Sequence, residues 1–327
     1  MGVSSSARRQ PSTAAVALAL GLVYIIWGST YFGIAVMIET MPPLLAAGVR
    51  YGTAGALMLG ALVVHARFRR DRDAVERPNR AQWRAALIIG TLLLLGGNGG
   101  VVLSELFIPS GIAAVLIATV PIWLALFDAV LTRRRPSGLV IGGLTAGIVG
   151  VAVLLVPLQG VEGLSPVGIG LCFIAEISWA AGSLYARRAP LPRSLVMTTG
   201  MQMLAGGLML VLAGSLLGEI GRTDVSEFSL SSIVAIVYLV IFGSIVAFTA
   251  YSWLLSNVAV STVGTYAYVN PIVAVALGAI FLHEPITLRT LVATALILGA
   301  VVAMVSGRPR DAEEPGPTPD VAQLEPD

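Results

Sequence analysis

Long apolar runs separated by short polar breaks dominate the chain. Hydrocarbon offers the backbone no hydrogen-bond partner, so a spanning helix needs ~20 mostly apolar residues. Ten such stretches can be read: Thr13–Ile38, Pro43–His65, Ala85–Leu103, Ser110–Leu131, Leu139–Pro157, Val167–Ala186, Ser194–Leu217, Leu230–Leu254, Ser261–Leu282 and Thr287–Ser306. Several pairs are only a few residues apart, which forces antiparallel hairpins. The shallowest breaks, Ser256-Asn257 and His283-Glu284-Pro285, are read as turns. The first stretch is too long for a signal-peptide core and has no convincing cleavage site, so it is expected to be retained. Residues 1–11 read as a short arm. The Pro- and acid-rich tail Gly307–Asp327 reads as disordered.

Composition agrees with this pattern. The 327 residues are 56% hydrophobic and 12% charged, and mean hydropathy is +0.88. A soluble domain carries roughly a quarter charged residues, so the excess apolar surface is expected to face lipid. One cysteine, Cys172, excludes an intrachain disulfide and a cysteine-built metal cage. The formal charge of +2 sits in the loops and says nothing of nucleic acid. All 20 basic residues are arginines. Seventeen fall in the tails and in the loops after the second, fourth and sixth stretches, the opposite loops hold Arg222 and Arg289, and Arg50 lies inside a helix. Retention of arginine on the cytoplasmic side places both termini inside.

The chain also repeats itself. Ser110-Gly111-Ile112-Ala113-Ala114…Thr119-Val120-Pro121-Ile122 answers to Val260-Ser261-Thr262-Val263-Gly264…Val269-Asn270-Pro271-Ile272 at an offset of 150. Gly150-Val151-Ala152-Val153 answers to Gly299-Ala300-Val301-Val302 at an offset of 149. Trp27-Gly28-Ser29-Thr30-Tyr31 matches Trp179-Ala180-Ala181-Gly182-Ser183-Leu184-Tyr185 only with a two-residue gap. Five helices per half is an odd number, so the second copy must insert upside down. Inverted repeats give two related conformations, each open to one side, with a site near the midplane. A duplication that merely enlarged a bundle is the plainer reading; the use a transporter has for the symmetry favours transport.

These residues carry a resemblance. Trp27-Gly28-Ser29, Arg50 and Pro121, then Trp179…Gly182-Ser183 and Asn270-Pro271…Gly278…His283-Glu284-Pro285-Ile286-Thr287…Gly299, are similar to the drug/metabolite transporter superfamily, of the type with two EamA domains. The likeness runs from about Ala14 to Ser306. It implies an all-α integral membrane protein of ten helices, as two inverted five-helix repeats (12–157 and 166–306) around a central cavity, that exports or exchanges small metabolites. Two departures stand out. The turn after the fourth stretch reads Thr132-Arg133-Arg134-Arg135 where the family often has an acid, leaving Glu284 unduplicated. The family's glycine near the start of the last helix is replaced around Val292-Ala293.

Ionisable groups inside spans cost roughly 2.5–3.5 kcal/mol each, which makes them functional candidates. Glu176 shares a helix face with Cys172, Trp179, Ala180 and Ser183. It either binds a proton or a cationic part of the solute, or is a buried partner of Arg50 or of a hydroxyl. Arg50, about 10 Å along its helix from Pro43, either grips a substrate carboxylate or fixes packing, the latter being favoured. Asp128 is expected to reach the Arg133–Arg135 cluster. In Gly96-Gly97-Asn98-Gly99-Gly100, Asn98 offers a donor and an acceptor, with Glu105 on its face at i+7; close packing is the favoured role for the glycines. Tyr266 and Asn270 share a face before Pro271, where Asn270 either satisfies a carbonyl freed by the proline or lines the cavity. Trp27, Trp123, Trp179 and Tyr266 are candidate cavity walls. Gly138, Gly142, Gly143 and Gly147 form a small-residue seam, within one chain or between two.

Enzyme signatures fail. His283-Glu284 lacks a second histidine, and Pro285 ends the helix there. His65 stands alone at a helix end. The glycine run has no following Lys-Ser/Thr, and no nucleotide domain is present. The expected function is a multi-pass secondary transporter of the bacterial inner membrane, without a cofactor, exporting small metabolites, amino acids or drug-like solutes. Its partners are a small-molecule solute, membrane lipids and a proton or other coupling ion, but no nucleic acid, and it acts as a monomer or homodimer. The competing classes are an intramembrane lipid-modifying enzyme, which needs an acid/base or metal cluster at one depth, and an assembly protein without flux.

Overall fold

A computed structural model describes residues 12–68, 77–133, 138–155, 165–258 and 265–306. Among them every regular element is helical. Helix α1 (Thr13–Ile38) starts at Ser12, whose hydroxyl accepts from the Ala15 N–H at 3.2 Å. Helix α2 (Pro43–Phe68) opens on a proline, whose missing N–H is no loss at a first turn. Its next two N–H groups, Leu44 and Leu45, donate to Glu219 Oε1 and Oε2 at 3.1 and 2.8 Å. Helix α3 (Arg80–Ser104) begins five residues before the expected Ala85. The reason is a capping box: Asn79 accepts from the Gln82 N–H, and the Gln82 side chain accepts from that of Asn79.

The expected fourth span is broken. Helix α4 (Ser110–Ile117) stops at Ala118-Thr119 and α5 (Val120–Thr132) restarts after it. Pro121 has no N–H to offer Ile117 and its ring crowds that carbonyl, so the helix cannot run straight through. Helices α6 (Gly138–Leu155), α7 (Pro166–Ala186) and α8 (Leu195–Leu216) follow. Helix α9 runs as Leu230–Tyr238, Leu239–Val246 and Ala247–Asn257, reaching past the expected end at Leu254. Helix α10 (Tyr266–Phe281) carries Pro271 inside, and α11 (Leu288–Ser306) closes the described chain. The arm, the tail, Arg134, Arg135 and the start of the ninth stretch lie outside the described residues, as does the Asp128 side chain.

Among the described residues six helices are long and apolar enough to cross a membrane: Thr13–Ile38, Pro43–Ala66, Arg80–Ser104, Pro166–Ala186, Leu195–Leu216 and Leu230–Tyr251. Ser110–Leu124, Ile141–Gly150, Val269–Phe281 and Leu288–Ala300 are shorter apolar helices. Many large aliphatic side chains point outward, with Leu18 66% and Leu216 79% exposed, while Arg50, Glu176 and Ser244 turn inward beside a core that includes Met37, Leu210 and Ile297. In hydrocarbon, apolar surface gains nothing by hiding, so association depends on close backbone approach. Accordingly α2 packs along α8 and α6 along α11, α1 along α10 and α9, and α7 along α3, α4 and α5. A methyl on Gly28 would stand 2.6 Å from Val273 Cβ, and one on Gly100 2.9 Å from Ala175 Cβ. The expected α6 seam is shifted along the helix: Gly147 and Gly150 abut Ile122 and Ile297, whereas Gly138 and Gly142 face open space.

Candidate functional site

Two helices depart from α-geometry in their middles. Residues Thr91–Asn98 of α3 and Leu239–Val246 of α9 are π-helical, each eight residues long. Such turns are rare overall but frequent at functional sites. Here side chains bond to carbonyls within them. Ser178 of α7 donates to Leu92 O at 2.8 Å, and Asn98 donates to Leu93 O of its own helix at 3.3 Å. Trp27 of α1 donates through Nε1 to Gly243 O at 3.2 Å. The first helix of each half thus bonds to the π-helical stretch of the other half.

Between these stretches lie the buried polar groups. Arg50 is 3% exposed; its Nε donates to Ser244 Oγ at 3.0 Å, within the α9 π-helical stretch, and its guanidinium lies 4.5 Å from the Tyr51 ring centre. Ser29 and Tyr238 share a hydroxyl–hydroxyl bond of 2.5 Å. Glu176 is 1% exposed and saturated: Oε1 accepts from Thr119 Oγ1 at 2.8 Å and Oε2 from Trp123 Nε1 at 2.5 Å. Glu176 therefore ties α7 to the break between α4 and α5, and its partners are a hydroxyl and an indole rather than Arg50. Glu105, just past the end of α3, is different. Both of its carboxylate oxygens are buried and accept no hydrogen bond among the described residues.

Glu284 closes one end of the bundle. Oε1 accepts from Ser110 N at 2.7 Å and Ser110 Oγ at 2.8 Å, and Oε2 from Gly111 N at 3.0 Å. A carboxylate at a helix N-terminus satisfies orphan N–H groups and meets the positive end of the helix dipole. Gly278 admits it, since a methyl there would sit 2.3 Å from Oε2. His283, at φ 56°, makes the turn that delivers it.

The remaining candidates separate into walls and struts. Trp27 packs on Tyr251 (4.9 Å between ring centres), Tyr266 (5.2 Å) and Phe248 (5.7 Å), so these aromatics fill space together. Asn270 is 7% exposed and, with its amide nitrogen toward carbonyls, donates to Tyr24 O and Tyr266 O at 3.2 Å. Those bonds stitch α10 to α1. The Tyr24 and Thr265 hydroxyls join the same helices. Trp179 lies against Gly97, where a methyl would come within 2.9 Å of Cε3, so the glycine run serves packing. Cys172 is 1% exposed. Sequence reasoning passed over Tyr31, Thr119, Tyr238 and Ser244. The available signal for Ser244 was a lone hydroxyl in an otherwise apolar run, and for Tyr31 its place one turn beyond Trp27.

The profile of the EamA-like transporter family matches residues 14–156 and again 166–306. The chain is 40% identical over 291 residues to an uncharacterized inner membrane transporter, YedA, of Escherichia coli (strain K12), covering 89% of this chain and 90% of that protein. It is 29% identical to Protein PecM of Dickeya dadantii, covering 85% and 88%. It is 24% identical to a "Probable amino-acid metabolite efflux pump" of Salmonella typhimurium, covering 88% and 93%. A solved crystal structure at 21% identity superposes with a TM-score of 0.58, covering 89% of this chain and 96% of that one, and so shares the fold.

Proposed function

The chain belongs to the EamA-like transporter family, and from that premise we propose that it exports small amphoteric metabolites across the bacterial inner membrane by alternating access. The six long and four shorter apolar helices supply ten spans, with both termini on the cytoplasmic side where arginine is concentrated. Residues 12–157 and 166–306 are the two inverted halves, and 1–11 and 307–327 are cytoplasmic arms. One observation carries this reading: the reciprocal bond from the first helix of each half to the π-helical stretch of the other half. Those stretches are offset by 148 residues, close to the offsets of the sequence repeat. The pairs α2 with α8 and α6 with α11 each join equivalent helices of the two halves, which a two-fold relation between the halves accommodates.

The π-helical stretches are the hinges in this scheme. Side chains of the opposite half hold carbonyls in these stretches, and exchange of those bonds lets α3 and α9 bend as one half rocks on the other. Glu284 latches α4 to the α10–α11 turn at the outer end, and release of that latch opens the outward path. An amino acid or similar compound fits an interior with both a guanidinium and carboxylates.

Counterflow in proteoliposomes tests the proposal. Vesicles of the purified protein preloaded with unlabelled amino acids should accumulate labelled solute transiently, and protein-free vesicles should not. Absence of counterflow across amino acids, amines and neutral drug-like solutes would sink it, as would tags locating the two termini on opposite sides.

A further inference from the structure

Two turns of the second half are built alike. Gly218, at φ 79°, and His283, at φ 56°, make the left-handed turns that follow α8 and α10. The next residue is a glutamate in both cases. Its N–H returns to a glycine carbonyl in the last helical turn, Glu219 to Gly214 O at 2.9 Å and Glu284 to Gly278 O at 3.1 Å. Its carboxylate lies over that same glycine: a methyl on Gly214 would stand 2.9 Å from Glu219 Oε2, and one on Gly278 2.3 Å from Glu284 Oε2. Each carboxylate then grips two successive N–H groups just after a proline of the first half. Glu219 takes those of Leu44 and Leu45 at the start of α2, and Glu284 those of Ser110 and Gly111 at the start of α4.

The repeat does not carry this device to the other end of the bundle. Arg133, at φ 53°, makes the same left-handed turn after α5, and the residue that answers to Glu284 at the offset of 150 is Arg134. The chain past α2 likewise reads Arg69-Arg70. A guanidinium only donates, while a helix start offers donors and the positive end of its dipole, so arginine cannot take the glutamate's part. The start of α8 is capped from within, Ser194 Oγ accepting from the Met197 N–H at 3.3 Å. Among the described residues, only the starts of α2 and α4 are held by a carboxylate of the other half.

We propose that Glu219 and Glu284 are a paired clasp that locks the outer gate, so that the empty protein keeps its outer end shut and opens more readily to the cytoplasm. The inference rests on the transport reading, in which both turns follow the seventh and ninth spans and lie outside. It adds a polarity that an inverted repeat alone lacks, since two identical halves would open equally readily to either side. Five charge-assisted bonds must break before the outer gate parts, and the arginines inside supply no counterpart. An exporter gains from such a bias, because it waits facing the compartment that holds its solute.

The single native cysteine reports the gate. Cys172 is 1% exposed and shares an apolar cluster with Ile108 and Ile112, which flank the clasped start of α4. Its labelling from outside by a membrane-impermeant maleimide is measured in right-side-out vesicles. Glutamine at either clasp has one acceptor atom for two backbone N–H groups, and a backbone N–H cannot reverse its role. Glu219→Gln and Glu284→Gln should each speed labelling about tenfold and the pair about a hundredfold, because independent contributions to one two-state gate multiply. A reporter at the other end is Ala19→Cys in the Cys172→Ser protein, within the buried cluster of Val23 and Leu254; the clasp variants should not speed its labelling from inside. Faster labelling of Cys172 with Glu284→Gln but not with Glu219→Gln would show a local effect at α4 and overturn the paired clasp. Equal speeding at both reporters would mark general loosening and overturn it as well. Should the double variant fail to fold, the two single variants decide. Counterflow by the wild type alongside unchanged labelling in both variants would remove the clasp and leave the transport reading standing.

Discussion

Replacing Gly207 by alanine puts the close approach of α2 and α8 to a quantitative test. The added methyl carbon would stand 2.4 Å from Gly52 N, 2.8 Å from Gly52 Cα and 2.9 Å from Gly48 O. Carbon contacts are comfortable at about 3.5 Å, so the helices must part locally by roughly 1 Å. The obstructing atoms are all backbone, and no rotamer change can move them. Overpacking of this kind costs about 1–3 kcal/mol, and a gap of that width forfeits a quarter to a half of each neighbouring contact. A loss of about 2–3 kcal/mol is therefore expected, set against the fraction of a kcal/mol that alanine gains in helix propensity. Gly52→Ala is the matched control. Its backbone is what Gly207 would strike, yet a methyl on Gly52 itself meets nothing within 4 Å. Unfolding of both variants in mixed micelles gives the comparison. Gly52→Ala should be neutral or slightly stabilising and Gly207→Ala strongly destabilising. Equal midpoints would refute the claim that backbone contact, and not glycine content, holds this pair together.

Two other substitutions probe the struts. Glu284→Ala removes the acceptor of three bonds to Ser110 and Gly111; it should lower the unfolding free energy by about 2–4 kcal/mol, less than three charge-assisted bonds at about 1.5–3 each because water reaches the freed donors at this part-buried turn. It should also raise labelling of a cysteine placed at Ser110, and unchanged labelling would count against a latch there. Glu176→Gln keeps the shape and both partners, its amide oxygen accepting from Trp123 Nε1 and its NH2 donating to Thr119 Oγ1, whose hydroxyl reverses its role. Only the charge assistance is lost, so a cost of about 1 kcal/mol is expected, and flux per folded molecule should be unchanged, with an unaltered pH profile. A collapse of flux at full folding would return Glu176 to the solute path.

Much of this protein is fixed by local chemistry and was therefore readable along the chain. Hydrocarbon forbids unsatisfied backbone, so apolar length alone located the helices, and most described ends lie within a few residues of those expected. The start of α3 moved because a cap needs only its own Asn79 and Gln82, which a hydropathy window does not weigh. The break at Ala118-Thr119 was implicit in Pro121, whose interval from the small residues had already exposed the repeat.

Partnership was not readable. Whether Glu176 meets Arg50 or a hydroxyl, and whether Asn98 faces solute or its own helix, depends on which helices abut at which depth. That is settled by distant glycines such as Gly100 and Gly207. The π-helical stretches carry no local signature, because the side chains that bond to their carbonyls, Ser178 and Trp27, come from other helices. Sequence marked charges that are expensive to bury, since that expense belongs to the side chain alone. Only the folded bundle decided which of them found donors, since a hydrogen bond belongs to two residues, and here the second is often more than a hundred positions away.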